Sequence, residues 1–291
     1  MLPCGNIPAW LARIAVWLLI LMASWSAASA HAQSLRIGIT PAIVHDQYSV
    51  LEDWRSYLQA KLKRPVEFVI RDSYRDTIEM IKHETLDFAW VSSYPYAYLD
   101  HLRYIHLLST PIYQGHPYYH GYLIVPATDA ATRSMLQLEG QVFAYADPFS
   151  NTGYLMPRVE LLRAGKDPAH FFRKTFFTWS HRKVIEAVAV ELANGGYVDS
   201  FVWDTLKRTH PDLTAKTRIV ATSEKIGFPP IVARLGIDKN DFDAMQRVLF
   251  EMAGDPAGAA LLKRLNIDGF GPGNPRSYDI VIKMMRSAGD L

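Results

Sequence analysis

At 291 residues, with 49% hydrophobic and 21% charged side chains, the chain has an ordinary globular composition and enough length for two lobes with cores of their own. The formal net charge is +2 without a long basic run, which argues against nucleic acid as the main partner. Cys4 is the only cysteine and lies in a leader-like segment, so the body of the chain has no disulfide, thiolate metal site or cysteine nucleophile.

Residues 1–32 read as a secretory signal peptide. Arg13 is their only charged side chain, and Ile14 to Met22 is an unbroken apolar run. Cleavage fits after Ala30 or after Ala32, since both Ala28-Ser29-Ala30 and Ala30-His31-Ala32 are small-x-small. The apolar core is short for a membrane span, so export to the periplasm is expected rather than an uncleaved anchor. Cys4 precedes the apolar run and cannot serve as a lipoprotein cysteine.

From Leu35 the pattern alternates strand and helix. Strands are predicted at Leu35 to Ile39, Val66 to Ile70 and Leu86 to Val91, with an amphipathic helix between Val50 and Leu62 that puts Leu51, Trp54, Leu58 and Leu62 on one face. Ser73 caps a helix from Tyr74 to His83, with Asp76 as a weak capping box. Ser92 to Tyr96 reads as the loop at the end of the third strand. His106 to Pro111 and Tyr119 to Val125 follow as strands. A short helix near Met135, a strand at Val142 and a helix from Tyr154 to Leu162 open a second unit. It continues with a strand at Phe176, a helix from Ser180-His181 to Leu192, and strands at Tyr197 to Val202 and Arg218 to Thr222. After Gly227-Phe228-Pro229-Pro230 come a strand at Ile231 and three helical stretches.

Alternation of this kind implies an α/β fold of two lobes, each a mainly parallel sheet flanked by helices. The lobes are assigned to 33–126 with 226–291, and to 127–225, with crossings near 126–129 and 223–228. Ligands of such sheets sit at the carboxyl ends of the strands, so a cleft between the two rims is the expected site.

No phosphate-loop, dinucleotide, nucleophile-elbow or paired-histidine zinc motif occurs. The ten histidines are scattered, and although His116, His120 and His181 could meet, no metal-ligand spacing is visible; neither metal nor cofactor is expected. Asp147, before Pro148 in a strand-to-helix turn, is read as shaping the backbone and not as a catalytic acid.

The most informative stretch is Asp147-Pro148-Phe149-Ser150-Asn151-Thr152-Gly153-Tyr154-Leu155-Met156-Pro157. A strand, small hydroxyl residues and a helix start make an anion seat, because first-turn N–H groups lack intrahelical partners and the helix dipole adds positive potential. Ser150 as a simple N-cap is the competing reading. The other cleft candidates are neutral donors: Tyr74, Ser92, Ser93, Tyr96, Tyr119, Thr152 and His181, with Asp204 the one acidic group. Hydroxyls and amides suit a small oxyanion, and one carboxylate can accept a proton from a partly protonated one.

In these segments the chain from Leu35 to about Phe270 resembles the phosphonate- and phosphite-type periplasmic solute-binding proteins that serve ABC importers, a two-lobed type II fold. The resemblance rests on Arg71-Asp72-Ser73-Tyr74, Asp87-Phe88-Ala89-Trp90, Tyr119 to Val125, Asp147 to Pro157, Ser180-His181, Asp199 to Asp204 and Pro230-Ile231-Val232. It implies ligand contacts from Tyr74, Tyr119, Ser150, Thr152 and His181, and places Asn151 in the seat where threonine is usual. The positions matching the ammonium-binding carboxylates of aminoalkylphosphonate binders are Leu206 and Pro229, so a compact inorganic oxyanion is favoured over an amine-bearing ligand. The run from Trp90 to Tyr96, with Pro111 to Gly115, is similar to arsenite-binding periplasmic partners of membrane histidine kinases, whose cysteine is replaced here by Ser92. The expected role is a monomeric, non-enzymatic binding protein delivering a phosphite-, phosphate-, phosphonate- or arsenite-like oxyanion to an ABC permease. A sensor histidine kinase as partner, an enzyme using His181 and Asp204 as acid and base, and an interaction module without ligand remain the alternatives.

Overall fold

The structure, a computed structural model, describes residues 33–40 and 48–291; the signal-peptide assignment for 1–32 lies outside them. Leu35–Leu291 form one compact body built on two sheets. Among the described residues no helix is long and apolar enough to cross a membrane.

The first sheet takes shape where apolar, β-branched runs meet helices with one apolar stripe. Strands β1 (Leu35–Ile39), β2 (Val66–Ile70) and β3 (Phe88–Trp90) pair in parallel, separated by α1 (Tyr48–Leu62) and α2 (Tyr74–Lys82). Leu51, Trp54 and Leu58 of α1 are buried at the helical spacing their sequence shows. Trp54 stacks on Phe270 at 6.1 Å and meets Trp90 edge-on at 5.7 Å, which fixes the helix against the sheet. Helix α3 (Ser93–His101) and β4 (Ile105–Ile112) complete this part.

The second sheet begins after a two-residue strand, β5 (Tyr118–Tyr119), and contains β6 (Gly121–Pro126), β7 (Val142–Tyr145), β8 (Lys174–Phe177), β9 (Gly195–Asp199) and β10 (Thr217–Thr222). Its helices are α4 (Met156–Arg163), α5 (His181–Ala189), α6 (Ser200–Thr209) and the single turn α7 (Pro211–Thr214). The chain then passes through β11 (Ile226–Gly227) and returns to the first sheet with β12 (Ile231–Arg234), α8 (Lys239–Glu251), α9 (Pro256–Leu265), β13 (Gly269–Gly271) and α10 (Asp279–Ala288).

The order is β13-β4-β12-β3-β1-β2 in the first sheet and β10-β6-β9-β7-β8 in the second. In each, most strands run one way, and the strand that follows a change of sheet, β12 or β6, inserts antiparallel between two others. The two connecting segments pair with each other, Tyr119 opposite Ile226 and Tyr118 opposite Gly227. This two-stranded ribbon is the hinge of the fold.

Several boundaries differ from those the sequence suggests. Strand β6 lies in the second sheet, so the first change of sheet falls at residues 113–120 and not near 126–129. An apolar β-branched run reads the same whichever sheet it joins, because periodicity reports burial and not pairing partner. Ser92–Tyr96 is not a loop: Ser92 is the N-cap of α3, and Pro95 falls in the first turn, where its missing N–H costs nothing. The strand expected to reach Val202 ends at Asp199, whose carboxylate accepts from the Phe201 N–H and starts α6. Asp204 is therefore a helical residue.

Truncating Trp54 to alanine removes the centre of the first core. The expected cost is about 3–5 kcal/mol, read as a lowered urea midpoint with an unchanged slope.

Candidate functional site

Each β-to-α connection places a helix start beside a strand end. The amino ends of α2, α3, α5, α6 and the helix after β7 thereby converge on the space between the sheets. The last of these is a π-turn, Asn151–Leu155, that runs into α4. Such turns are frequent at functional sites, since the wider winding re-aims the side chains at its start.

Ser150 caps this turn. Its hydroxyl oxygen accepts from the Gly153 N–H at 3.0 Å and lies 3.1 Å from His181 Nε2. The other nitrogen of that ring, Nδ1, accepts from the Asp199 N–H at 3.2 Å. A neutral ring accepting at Nδ1 carries its proton on Nε2, so His181 donates to Ser150. Burial holds His181 neutral by lowering its pKa to about 3. Ser150 thus accepts twice, and its own proton is free to donate outward. Gly153 is required here: a Cβ would lie 2.5 Å from Ala146 Cβ and 3.0 Å from both His181 Cε1 and Ser150 Oγ.

Asn151 spans the two lobes. Its amide nitrogen donates to Tyr119 Oη at 3.1 Å and towards Ser93 Oγ at 3.3 Å, and those two hydroxyls are 2.5 Å apart. Asp147 spans them as well. One carboxylate oxygen accepts from Phe149 N–H at 2.7 Å, closing its own turn, and the other accepts from Tyr74 N–H at 3.2 Å, at the start of α2. Burial raises the Asp147 pKa, opposed by those two N–H groups and by Arg75. The backbone role expected of Asp147 is present, with a grip on the opposite lobe that local sequence does not reveal.

The Tyr74 ring is buried, and its hydroxyl, with Ser150 close by, makes no hydrogen bond of ordinary length among the described residues. Burial and the carboxylates of Asp147 and Asp199 keep that phenol protonated, well above its ordinary pKa. Asn151 Oδ1 is likewise buried without a partner. Most buried polar atoms are paired, so these two are the groups of the cluster with bonding capacity left over.

Of the sequence candidates, Tyr74, Ser93, Tyr119, Ser150, Asn151 and His181 come together. Ser92 sits beside Tyr119 at the start of α3. Thr152 is buried in the same turn, with its methyl against Gly121. Two others lie elsewhere. The Tyr96 ring packs on Tyr278 at 4.2 Å in the core behind α3, among Leu99 and Val232. Asp204 accepts from Tyr113 at 2.6 Å and from Tyr122 at 3.3 Å, so its carboxylate ties α6 to the segment leaving β4. His181 and Asp204 are thus engaged with different partners. His120 bonds the Ser223 carbonyl, and no group of metal-ligating side chains occurs among the described residues.

Sequence reasoning missed Asp199 as a site residue. It is fully buried beside the cluster, and burial raises its carboxyl pKa to about 8, with Asp204 adding to the shift and the Phe201 and Val202 N–H groups opposing it. The sequence signal was present, an acidic residue at a strand end before a helix, but it reads first as a cap. Because the folded chain holds a proton that the unfolded chain releases above 3.8, Asp199 stabilises the fold most at low pH. That contribution declines as pH rises from 3.8 through about 8. Asp199→Asn keeps an oxygen for the cap, and urea midpoints across this range should show a flatter decline than wild type.

Comparisons with known proteins bear on the family and the fold. Residues 37–278 match the family described as ABC transporter, phosphonate, periplasmic substrate-binding protein. The fold is similar to a binding-protein component of an ABC phosphonate transporter from Pseudomonas aeruginosa, with a TM-score of 0.79 and 17% identity over 86% of this chain and 85% of that one. It is similar to PhnD1 from Prochlorococcus marinus in complex with methylphosphonate, with a TM-score of 0.80 and 16% identity over 89% and 99%. A Xanthomonas citri protein bound to ATP aligns with a TM-score of 0.71 and 22% identity over 89% and 98%.

Proposed function

This chain belongs to the family of periplasmic substrate-binding proteins of ABC phosphonate transporters, and from that premise we propose that it binds a small tetrahedral oxyanion between its lobes for delivery to a permease. The observation that carries the reading is the cluster of Ser150, Tyr74, Asn151, Ser93 and Tyr119 at facing strand ends, with donors unspent and, among the described residues, no Lys or Arg hydrogen-bonded to any of them. Neutral donors fixed in place stabilise a compact anion without the strong desolvation penalty of a buried cation. Release to a permease is easier from such a site than from an ion pair.

The chemistry favours a hard oxyanion such as phosphate, phosphite or methylphosphonate. With serine at position 92, thiolate coordination of arsenic(III) has no ligand. An amine-bearing phosphonate would bring its ammonium group to Leu206 and Pro229, which offer no carboxylate. Periplasmic location follows from the family and from the leader-like residues 1–32.

A thermal-shift panel of phosphate, phosphite, methylphosphonate, arsenate, arsenite and selenite on the purified chain tests this reading. A true ligand at about a hundred times its Kd stabilises by about 2.7 kcal/mol, and silence across the panel would sink the proposal. Ser150→Ala removes one outward donor and should weaken that ligand by about tenfold in calorimetry, with the fold retained by circular dichroism.

A further inference from the structure

The cluster can be read as a donor–acceptor template, and this step rests on the oxyanion reading above. Ser150 has one proton to give, because both bonds it accepts come from Gly153 N–H and His181 Nε2–H. Tyr74 has another, since its hydroxyl is buried with no partner. In the Ser93–Tyr119 pair, one hydroxyl donates to the other across 2.5 Å, and both stand within bonding distance of the Asn151 amide nitrogen. One proton of that pair is therefore left over as a third donor. The remaining group is different in kind. Asn151 Oδ1, fully buried, can only accept, and no group among the described residues donates to it.

We propose that Asn151 makes this cleft selective for oxyanions that carry a hydroxyl proton: its amide nitrogen is spent on Ser93 and Tyr119, and its orphaned Oδ1 requires a donor from the ligand. A singly protonated phosphate or phosphonate supplies acceptor oxygens for Ser150, Tyr74 and the Ser93–Tyr119 pair, and an O–H for Asn151. Sulfate has the same shape and only acceptors. Bound here, it would press an oxygen against Asn151 Oδ1, leaving two buried lone pairs facing each other with no proton between them. A site built to bond a ligand hydroxyl rejects analogues that lack it far more strongly than a merely shape-selective pocket does.

Local geometry explains why a side chain of this length can do it. The π-turn starts at Asn151, whose amide reaches Ser93 and Tyr119, while Ser150 is held by Gly153 N–H and His181 and the Thr152 methyl lies against Gly121. A threonine at 151 is shorter, would leave Ser93 and Tyr119 free to donate, and carries a rotatable hydroxyl that can donate as well as accept. The template would then have no obligatory acceptor.

The test is calorimetric titration of the purified chain, in mildly acidic buffer, with phosphate, methylphosphonate and sulfate, repeated on Asn151→Thr and on Asp199→Asn. Wild type should bind phosphate or methylphosphonate at least about a hundredfold more tightly than sulfate, and Asn151→Thr should narrow that ratio to within about tenfold. Equal affinity of wild type for sulfate and phosphate would overturn the inference and leave the oxyanion reading standing, since the amide would then present its nitrogen to the ligand. Collapse of the ratio in Asp199→Asn but not in Asn151→Thr would also overturn it, moving the acceptor role to Asp199. If none of the three anions binds wild type, both the inference and the oxyanion reading fail. Should Asn151→Thr not fold, the sulfate-to-phosphate ratio of wild type still decides.

Discussion

Convergence of helix amino ends is the constraint on which the rest of this structure depends. Helices α2, α3, α5, α6 and the π-turn before α4 all begin at strand ends that face one narrow space. Each contributes N–H groups without intrahelical acceptors and a partial positive charge. The space between the sheets is therefore lined with N–H donors from helix starts. Two carboxyls, Asp147 and Asp199, occupy helix starts at its edge and accept from Tyr74 and Phe201 N–H groups respectively. Their burial is tolerated because those N–H groups are waiting for an acceptor.

The same geometry explains how the lobes hold together. Polar bonds between them include Asp147 to Tyr74, Asn151 to Tyr119 and Ser93, Asp204 to Tyr113, Thr205 and Arg208 to Asn266, and Arg158 to Asp290 at the end of α10. Tyr94 also donates to Asp290, so the chain terminus is clamped between α3 and α4. Side-chain bonds of this kind break and form at small net cost. The hinge ribbon of β5 and β11 is only two residues wide and carries Tyr119 itself. A change in the angle between the sheets would therefore move Tyr119 together with the ribbon.

Much of this was legible in the chain. The strands at 35–39 and 66–70, the helix beginning at Tyr74 under its Ser73 cap, and the capped turn at Ser150 all rest on signals carried by neighbours within a few residues. Tyr96 and Asp204 show the limit of that reasoning. Tyr96 follows Ser93 by three residues, yet the helix that begins at Ser93 turns it towards Tyr278 and away from the cleft. Asp204 sits beyond a strand end, but α6 starts at Ser200 and carries it to Tyr113 and Tyr122. In both, a helix starting earlier than its sequence signals changed which face a side chain occupies.

The sequence by itself determined the alternation of strand and helix, the caps and turns, and the supply of neutral donors at strand ends, because these depend on residues close together in the chain. Tertiary structure alone decided the rest: which sheet β6 joins, the insertion of β6 and β12 against the run of their neighbours, and the meeting of Asn151 with Ser93 and Tyr119 across 58 and 32 residues of chain. Hydrophobic pattern fixes which face of an element is buried and says nothing about its partner, while a cross-lobe hydrogen bond exists only once two separately folded rims are brought face to face.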